Sequence, residues 1–206
     1  MKNLLRTARR KLLPGWNDEW PRLVAKARTC RAVQLGSGMG RVLNGVVNVD
    51  INSATRPDVL CDLNAKTFPF RDNAFDMVVT ISLLEHLNDF VAAMGEIHRI
   101  AKPGASVHIL VPHFSSAAAF VDPTHRKLLS VRSCDYFLMG TDIEQRYGFY
   151  LAYRFRLKKL YVELSGIWNY LPPFRWLAEK RTAFWEEYLC FIIRGAGIYW
   201  ELEVVK

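Results

Sequence analysis

No stretch of these 206 residues is apolar for long enough to cross a membrane as a helix. The longest run, Tyr188 to Ile193, stops at Arg194, far short of the ~18 residues a span requires. Cysteine is scarce: the four residues at 30, 61, 134 and 190 form no CxxC or other short pair, which fits reduced, mostly buried thiols in a cytosolic protein. Internal repeats and low-complexity tracts are missing. The N-terminus is basic but lacks a continuous apolar stretch, so a secretory signal is not expected and the chain is placed in the cytoplasm. Cationic excess is missing from most of the chain. Residues 1–31 carry nine Lys/Arg against Asp18 and Glu19, whereas the remaining 175 residues hold 19 basic and 18 acidic side chains. The net charge of +8 therefore belongs to an N-terminal segment, and a broad nucleic-acid track is not expected.

What is present suits one domain with a real core: half the residues are hydrophobic and 23% are charged. Within it, residues 1–28 read as a basic helical segment, 29–111 as a ligand-binding half and 112–206 as an aromatic-rich half. Of the 26 aromatic residues, 18 fall between Tyr136 and Trp200. Residues 3–13 place Leu4, Leu5, Ala8, Leu12 and Leu13 on one helical face, suited either to an anionic membrane surface or to docking on the domain. A second helix is predicted from about Asp18 to Arg28.

The chain then centres on Val33-Gln34-Leu35-Gly36-Ser37-Gly38-Met39-Gly40. A short buried strand, Ala32 to Leu35, runs into three glycines at alternate positions, where a backbone can turn sharply and approach a ligand. Val46 to Val49 reads as a second strand with Asp50 at its carboxyl end, the edge at which ligands bind in open α/β sheets. Asp58–Cys61, Phe75–Thr80 and Val107–Val111 read as further strands. A helix capped by Asn88 or Asp89 carries Phe90, Met94, Ile97 and Ala101 at helical spacing. Later, Leu157–Leu164 is predicted as a strand, Phe174 to Ile193 as one helix and Ile198–Val205 as a final strand, while residues 127–153 give no clear assignment. Strands alternating with helices imply a mainly parallel, doubly wound sheet. Between Gly40 and Val46 lie only five residues, too few for an ordinary helical crossover, so the first helix is expected to be reduced to about one turn or replaced by a tight loop.

A nicotinamide dehydrogenase fits poorly. The sixth place of its glycine fingerprint is Arg41, and Asp50 follows Gly36 by fourteen residues where that fold places its acid ~20 residues on. Six motifs occur in order: Leu35 to Gly40; Asn48-Val49-Asp50-Ile51; Cys61-Asp62-Leu63; Phe68-Pro69-Phe70 with Asp72-Asn73-x-Phe75-Asp76; Leu84-Glu85-His86-Leu87; and His98-Arg99-Ile100-x-Lys102-Pro103-Gly104. On these, residues 32–111 resemble class I S-adenosylmethionine-dependent methyltransferases, in a short-first-helix form similar to a bacterial subgroup associated with glycan and cell-surface polysaccharide pathways. The resemblance implies a Rossmann-like, seven-stranded, mainly parallel sheet of order 3-2-1-4-5-7-6 with the last strand antiparallel and helices on both faces. It also implies S-adenosylmethionine as cofactor. Gly36, Ser37 and Gly38 would pass beneath its methionine part, and Asp50, with Ile51 beside it, would bind the ribose. Asp62 and Leu63 would meet the adenine, Ser82 would face the sulfonium, and His86 counts among the cofactor-binding residues. Gln34 departs from the pattern, standing where the family usually has an acid.

The place where base-methylating relatives carry an Asn/Asp-Pro-Pro-aromatic stretch reads Ser82-Leu83-Leu84-Glu85, which disfavours a nucleobase acceptor. A hydroxyl acceptor must lose a proton, and histidine is the natural base near neutral pH. His113 or His125 is the expected base, with Asp122 orienting it; Asp122-Pro-Thr-His125 also reads simply as a turn. His86, His113 and His125 show no short ligand spacing, so no metal is expected. Tyr147 to Tyr153 could roof a pocket or pack on the sheet. The expected partner is thus a small-molecule or glycan hydroxyl, with oligomeric state open. A methyltransferase-like scaffold at a membrane and an RNA methyltransferase stand as the alternatives.

Overall fold

The computed structural model describes residues 16–39 and 43–206. The amphipathic segment 3–13, and with it the proposed membrane contact, lies outside these residues. Seven strands form one sheet: β1 (Ala32–Leu35), β2 (Val47–Asp50), β3 (Val59–Leu60), β4 (Phe75–Ile81), β5 (Ala101–Pro112), β6 (Arg154–Leu164) and β7 (Gly195–Val205). Their order is β3-β2-β1-β4-β5-β7-β6, as the resemblance implies. β3, β2, β1, β4 and β5 run parallel, and β7 is antiparallel to both β5 and β6. The order reverses between β1 and β4, which opens a crevice at their carboxyl ends.

The apolar continuity of β4 places it between two core layers, and the alternation of β7 gives it one apolar face. In β4, Phe75 and Val78 pack into one core layer while Met77 and Val79 enter the other. In β7, Ile198, Trp200, Leu202 and Val204 share the first layer, and Tyr199 turns to the second. The second layer is covered by α1 (Trp16–Ala27), which brings Leu23 and Ala27 onto Met77, Val79, Tyr161 and Tyr199. The first is covered by α2 (Phe90–Ile100). Asp89 caps α2 by accepting the Ala92 N–H at 2.9 Å, and Ala93, Met94, Ile97 and Ile100 are its buried stripe.

Two of the sequence motifs turn out to be one clip. Arg99, in the last turn of α2, donates to Asp72 (2.7 Å) and to the carbonyls of Phe70 (2.8 Å) and Phe68 (3.1 Å), and pairs with Glu96 at 2.7 Å. Glu96 accepts the Phe68 N–H (2.6 Å), and Lys102 binds Asp76 (2.7 Å). The 68–76 turn and the end of α2 therefore hold each other, which fixes where β4 begins.

The structure departs from the sequence reading in the C-terminal third. The single helix expected from Phe174 to Ile193 is two, α5 (Pro172–Lys180) and α6 (Thr182–Tyr188), after the short α3 (Ala118–Val121) and α4 (Asp142–Tyr147). The Thr182 hydroxyl donates to the Ala178 carbonyl (2.8 Å), competing with the helix ladder, and Arg181 leaves helical geometry (φ −132°, ψ 44°). Residues 189–193 then fold back, so that the fully buried Trp185 donates its indole N–H to the Ile193 carbonyl (2.8 Å). The unassigned region is mostly turns around α4, which Thr141 caps by accepting the Glu144 N–H. Its aromatics pack or face solvent: Tyr153 stacks on Phe137 and donates to the Val91 carbonyl, while Phe149 and Tyr150 are exposed.

His108 of β5 is buried, with Nδ1 bonded to the Tyr199 hydroxyl at 2.9 Å, and burial pushes its pKa down to about 3. Unfolded, the same imidazole titrates at its ordinary value of 6.5. Below that value the unfolded chain holds a proton that the folded chain refuses, so stability is lost as pH falls from 6.5 towards 3. Urea unfolding at pH 7 and pH 5 will show His108→Gln losing about 2 kcal/mol less than the parent between the two, given ~1.4 kcal/mol per pH unit for one proton.

Candidate functional site

The crevice is built from the ends of β1, β2 and β4. Gly36 (φ +65°) and Gly38 (φ +52°) leave β1 in the left-handed region open to glycine. Their loop is tied to β2: the Ser37 N–H donates to the Val49 carbonyl (3.0 Å) and the Gly38 N–H to Oδ2 of Asp50 (2.7 Å). Oδ1 of Asp50 accepts the Asn52 N–H (2.8 Å). Each carboxylate oxygen retains a lone pair for a ligand hydroxyl. Gln34, buried, accepts the Leu43 N–H at Oε1 (2.7 Å), and the Asn48 amide donates to the Leu43 carbonyl (3.1 Å). The unusual Gln34 thus secures the abbreviated crossover. Residues 43–46 contain no helix, and 40–42 lie outside the described residues.

After β4, Ser82 also takes a left-handed conformation (φ +49°), with its N–H on the Leu110 carbonyl (2.8 Å). A non-glycine residue held there marks a position the surrounding fold enforces. A 3-10 turn, Leu84–His86, follows. Its Glu85 carbonyl accepts the N–H groups of Arg126 (2.7 Å) and Lys127 (3.1 Å), fastening the 122–126 strap across the mouth of the crevice.

Two adjoining cavities result. One, about 750 Å³, is bordered by Asp50, Ile51, Asp62, Leu63, Leu83, Thr124 and Arg126. The other, about 650 Å³, is bordered by Gln34, Ser37, Glu85, Val121, Asp122 and Glu163. Gly36, Gly38, Ser82, His86 and His125 face both. The expected ligand-binding residues are therefore brought together, as are His125 and Asp122. His113 lies elsewhere: fully buried, it bonds Ser115 Oγ (2.8 Å) and Glu186 (2.9 Å) and lines neither cavity. Tyr147 to Tyr153 also border neither.

His125 is oriented by a backbone group: Nδ1 donates to the Ala119 carbonyl (3.0 Å), leaving Nε2 as the lone-pair nitrogen, 4.0 Å from Glu85. Asp122 acts one step away. Its Oδ1 accepts the Thr124 hydroxyl (2.7 Å), whose oxygen accepts Nδ1–H of His86 (2.9 Å). Burial lowers the His86 pKa, with nearby His125 reinforcing the shift. In the sequence Glu85 stands out only as a member of the Leu84-Glu85-His86-Leu87 motif. It is 1% exposed, neither carboxylate oxygen has a hydrogen-bond partner among the described residues, and burial raises its pKa to about 7. An acid directly before His86, just past a buried strand, was the available signal.

Fold and site define an α/β domain whose crevice is bordered by a glycine loop and an acid at the end of β2. Residues 33–109 match the family model described as a methyltransferase domain. Among curated proteins, the norajmaline N-methyltransferase of Rauvolfia serpentina is 25% identical over 135 residues, 64% of this chain and 45% of that protein. The ubiquinone/menaquinone biosynthesis C-methyltransferase UbiE of Burkholderia mallei is 41% identical over 54 residues, 26% of this chain and 21% of that protein. The matched stretches thus span less than half the length of these relatives. A SAM-dependent methyltransferase from Archaeoglobus fulgidus superposes with a TM-score of 0.59 at 19% identity, covering 90% of this chain and 92% of its own. The [4+2]-cyclase SpnF does so at 0.57 and 16%, covering 91% and 80%. Residues 33–109 thus match a methyltransferase domain on a methyltransferase-like sheet, and S-adenosylmethionine is the cofactor that this match and the fold imply.

The donor set fits that cofactor. A Cβ on Gly38 would project into open space and one on Gly36 would lie 2.8 Å from Leu83 Cδ1, so the loop leaves the floor of the crevice clear. The carboxylates of Asp50 and Asp62 border one cavity, as a ribose and an adenine amino group require. Gly36→Ala, which combines the clash with positive φ, is expected to lower thermal stability, whereas Gly38→Ala will melt closer to the parent yet bind S-adenosylhomocysteine more weakly. Differential scanning fluorimetry and calorimetric titration of both variants check the contrast.

Proposed function

We propose that the protein transfers a methyl group from S-adenosylmethionine to a hydroxyl of a small-molecule or glycan acceptor. The observation that carries this reading is the junction of the two cavities at Gly36, Gly38 and Ser82, with His86 and His125 on the shared border. When bound, the cofactor would supply an electrophilic methyl on a sulfonium, which the acceptor oxygen would take as the S–C pair returns to sulfur and the hydroxyl proton passes to a base. Asp50 holds the ribose, Asp62 the adenine, and Ser37 and Gly38 line the path of the methionine part. Val121, Glu163 and the 122–126 strap wall the acceptor side, where aligning the two reactants and excluding water supply much of the rate.

Among the candidate bases we place His125 at the acceptor. Its Nε2 lone pair faces the cavity beside Glu85, a corner that favours a hydroxyl's proton and accounts for an oxygen acceptor better than a neutral ring nitrogen. Asp122 contributes by aligning His86 through Thr124. His113 supports the fold, joining the end of β5 to α6.

Asp50→Ala should abolish detectable S-adenosylmethionine binding in calorimetry; binding equal to the parent's would refute the assignment of the crevice. In a methyl-transfer screen over hydroxylated small molecules and glycans, His125→Ala should lower kcat by about a hundredfold, within the range of general acid–base contributions. Its cofactor Kd should stay within about threefold of the parent's, which fluorescence titration measures.

A further inference from the structure

Glu85 poses a problem that the methyltransferase reading leaves unsolved. Burying a carboxylate with no partner is costly, and side chains so placed ordinarily pair or ligate a cation. At 1% exposure, neither oxygen of Glu85 finds a hydrogen bond among the described residues. The groups facing it are two imidazoles. One candidate ligand atom from each of Glu85, His86 and His125 lies within 4.8 Å of the others. Ligand atoms ~2.1 Å from one ion stand at most about 4.2 Å apart, so a closure of roughly half an ångström brings the three onto a shared centre.

The hydrogen bonds behind the imidazoles point the same way. Nδ1 of His125 donates to the Ala119 carbonyl, and Nδ1 of His86 donates to Thr124, whose own proton is committed to Asp122. Both rings are thereby locked in the tautomer with a bare Nε2. Metal-binding histidines are typically held in this way, by a carbonyl or carboxylate behind the ring. The strap bearing His125 is fastened to the Glu85 carbonyl through Arg126 and Lys127, so the third ligand is tied to the first two.

We propose that Glu85, His86 and His125 form a binding site for one first-row divalent transition cation, a two-histidine, one-carboxylate set on the wall of the acceptor cavity. Nitrogen and carboxylate donors of this kind suit Mn²⁺, Fe²⁺, Co²⁺, Ni²⁺ and Zn²⁺. Three protein ligands leave open positions facing the cavity, where the cation takes the acceptor's oxygen and eases loss of its proton to water. With the cation bound, His125 serves as a ligand and the cation takes over the proton-removing role that the free imidazole has in the cation-free site. This role rests on the methyltransferase reading above; cation binding itself does not.

The test uses the full chain, stripped with a chelator and titrated with Co²⁺ while the visible spectrum and heat are followed. One equivalent should bind with micromolar or tighter affinity, about a hundredfold weaker in Glu85→Gln and His125→Ala. Thr124→Ala, which only frees the His86 ring, should bind about tenfold more weakly. S-adenosylhomocysteine titration and thermal melting of each variant establish that it is folded. Folded protein that binds no Co²⁺, or binds it equally well without Glu85 and His125, overturns the site. Stoichiometric Co²⁺ binding without S-adenosylhomocysteine binding would uphold the site and refute the cofactor reading; the reverse would refute the site alone.

Discussion

The carboxylate of Asp50 is the constraint on which the rest of the site depends. It sits at the end of β2, yet it fixes the loop leaving β1, with one oxygen on the Gly38 N–H and the other on the Asn52 N–H. Its own carbonyl accepts the Cys61 N–H, which brings β3 and Asp62 alongside. One residue therefore sets the spacing of the glycine turn, the end of β2 and Asp62. In the proposed reading, a ligand diol would meet an acceptor already immobilised by backbone donors, with little ordering left to oppose binding.

The opposite wall follows another logic. There the chain is held by the Glu85 carbonyl and by small polar relays, Asp122 to Thr124 to His86 and Ala119 to His125. These bonds orient side chains without consuming their functional atoms: two bare nitrogens and a carboxylate are left converging. The sheet alone does not decide chemistry, since a [4+2]-cyclase and a SAM-dependent methyltransferase both superpose on it. The relatives named for N- and C-methylation make the same point.

The motifs legible in the sequence prove to be of two physical kinds. Gly36 to Gly38, Asp50 and Asp62 border the crevice. The Phe68–Asp76 stretch and the His98–Gly104 stretch instead grip each other through Arg99, Glu96 and the Lys102–Asp76 pair. Both are recognisable because local geometry demands particular residues, a left-handed turn in one case and a fork of donors in the other. Gln34 is readable only as a departure until its amide is seen closing the short crossover onto Leu43.

The sequence by itself determined the alternation of strands and helices, the burial of β4, the apolar face of β7 and the capped helix after Asp89, because each rests on periodicity or on a residue type required at one spacing; the sheet order followed only from the family resemblance. Tertiary structure decided which histidines belong together. His86 and His125 stand 39 residues apart, yet their ring centroids lie 4.6 Å from one another, while His113, just past β5, is sealed behind Ser115 and Glu186. It also decided that Glu85 faces a cavity and that the helix after Pro172 breaks at Arg181. Such outcomes depend on where the chain returns after long loops, and that is set by packing of the whole sheet rather than by any pattern local to these residues.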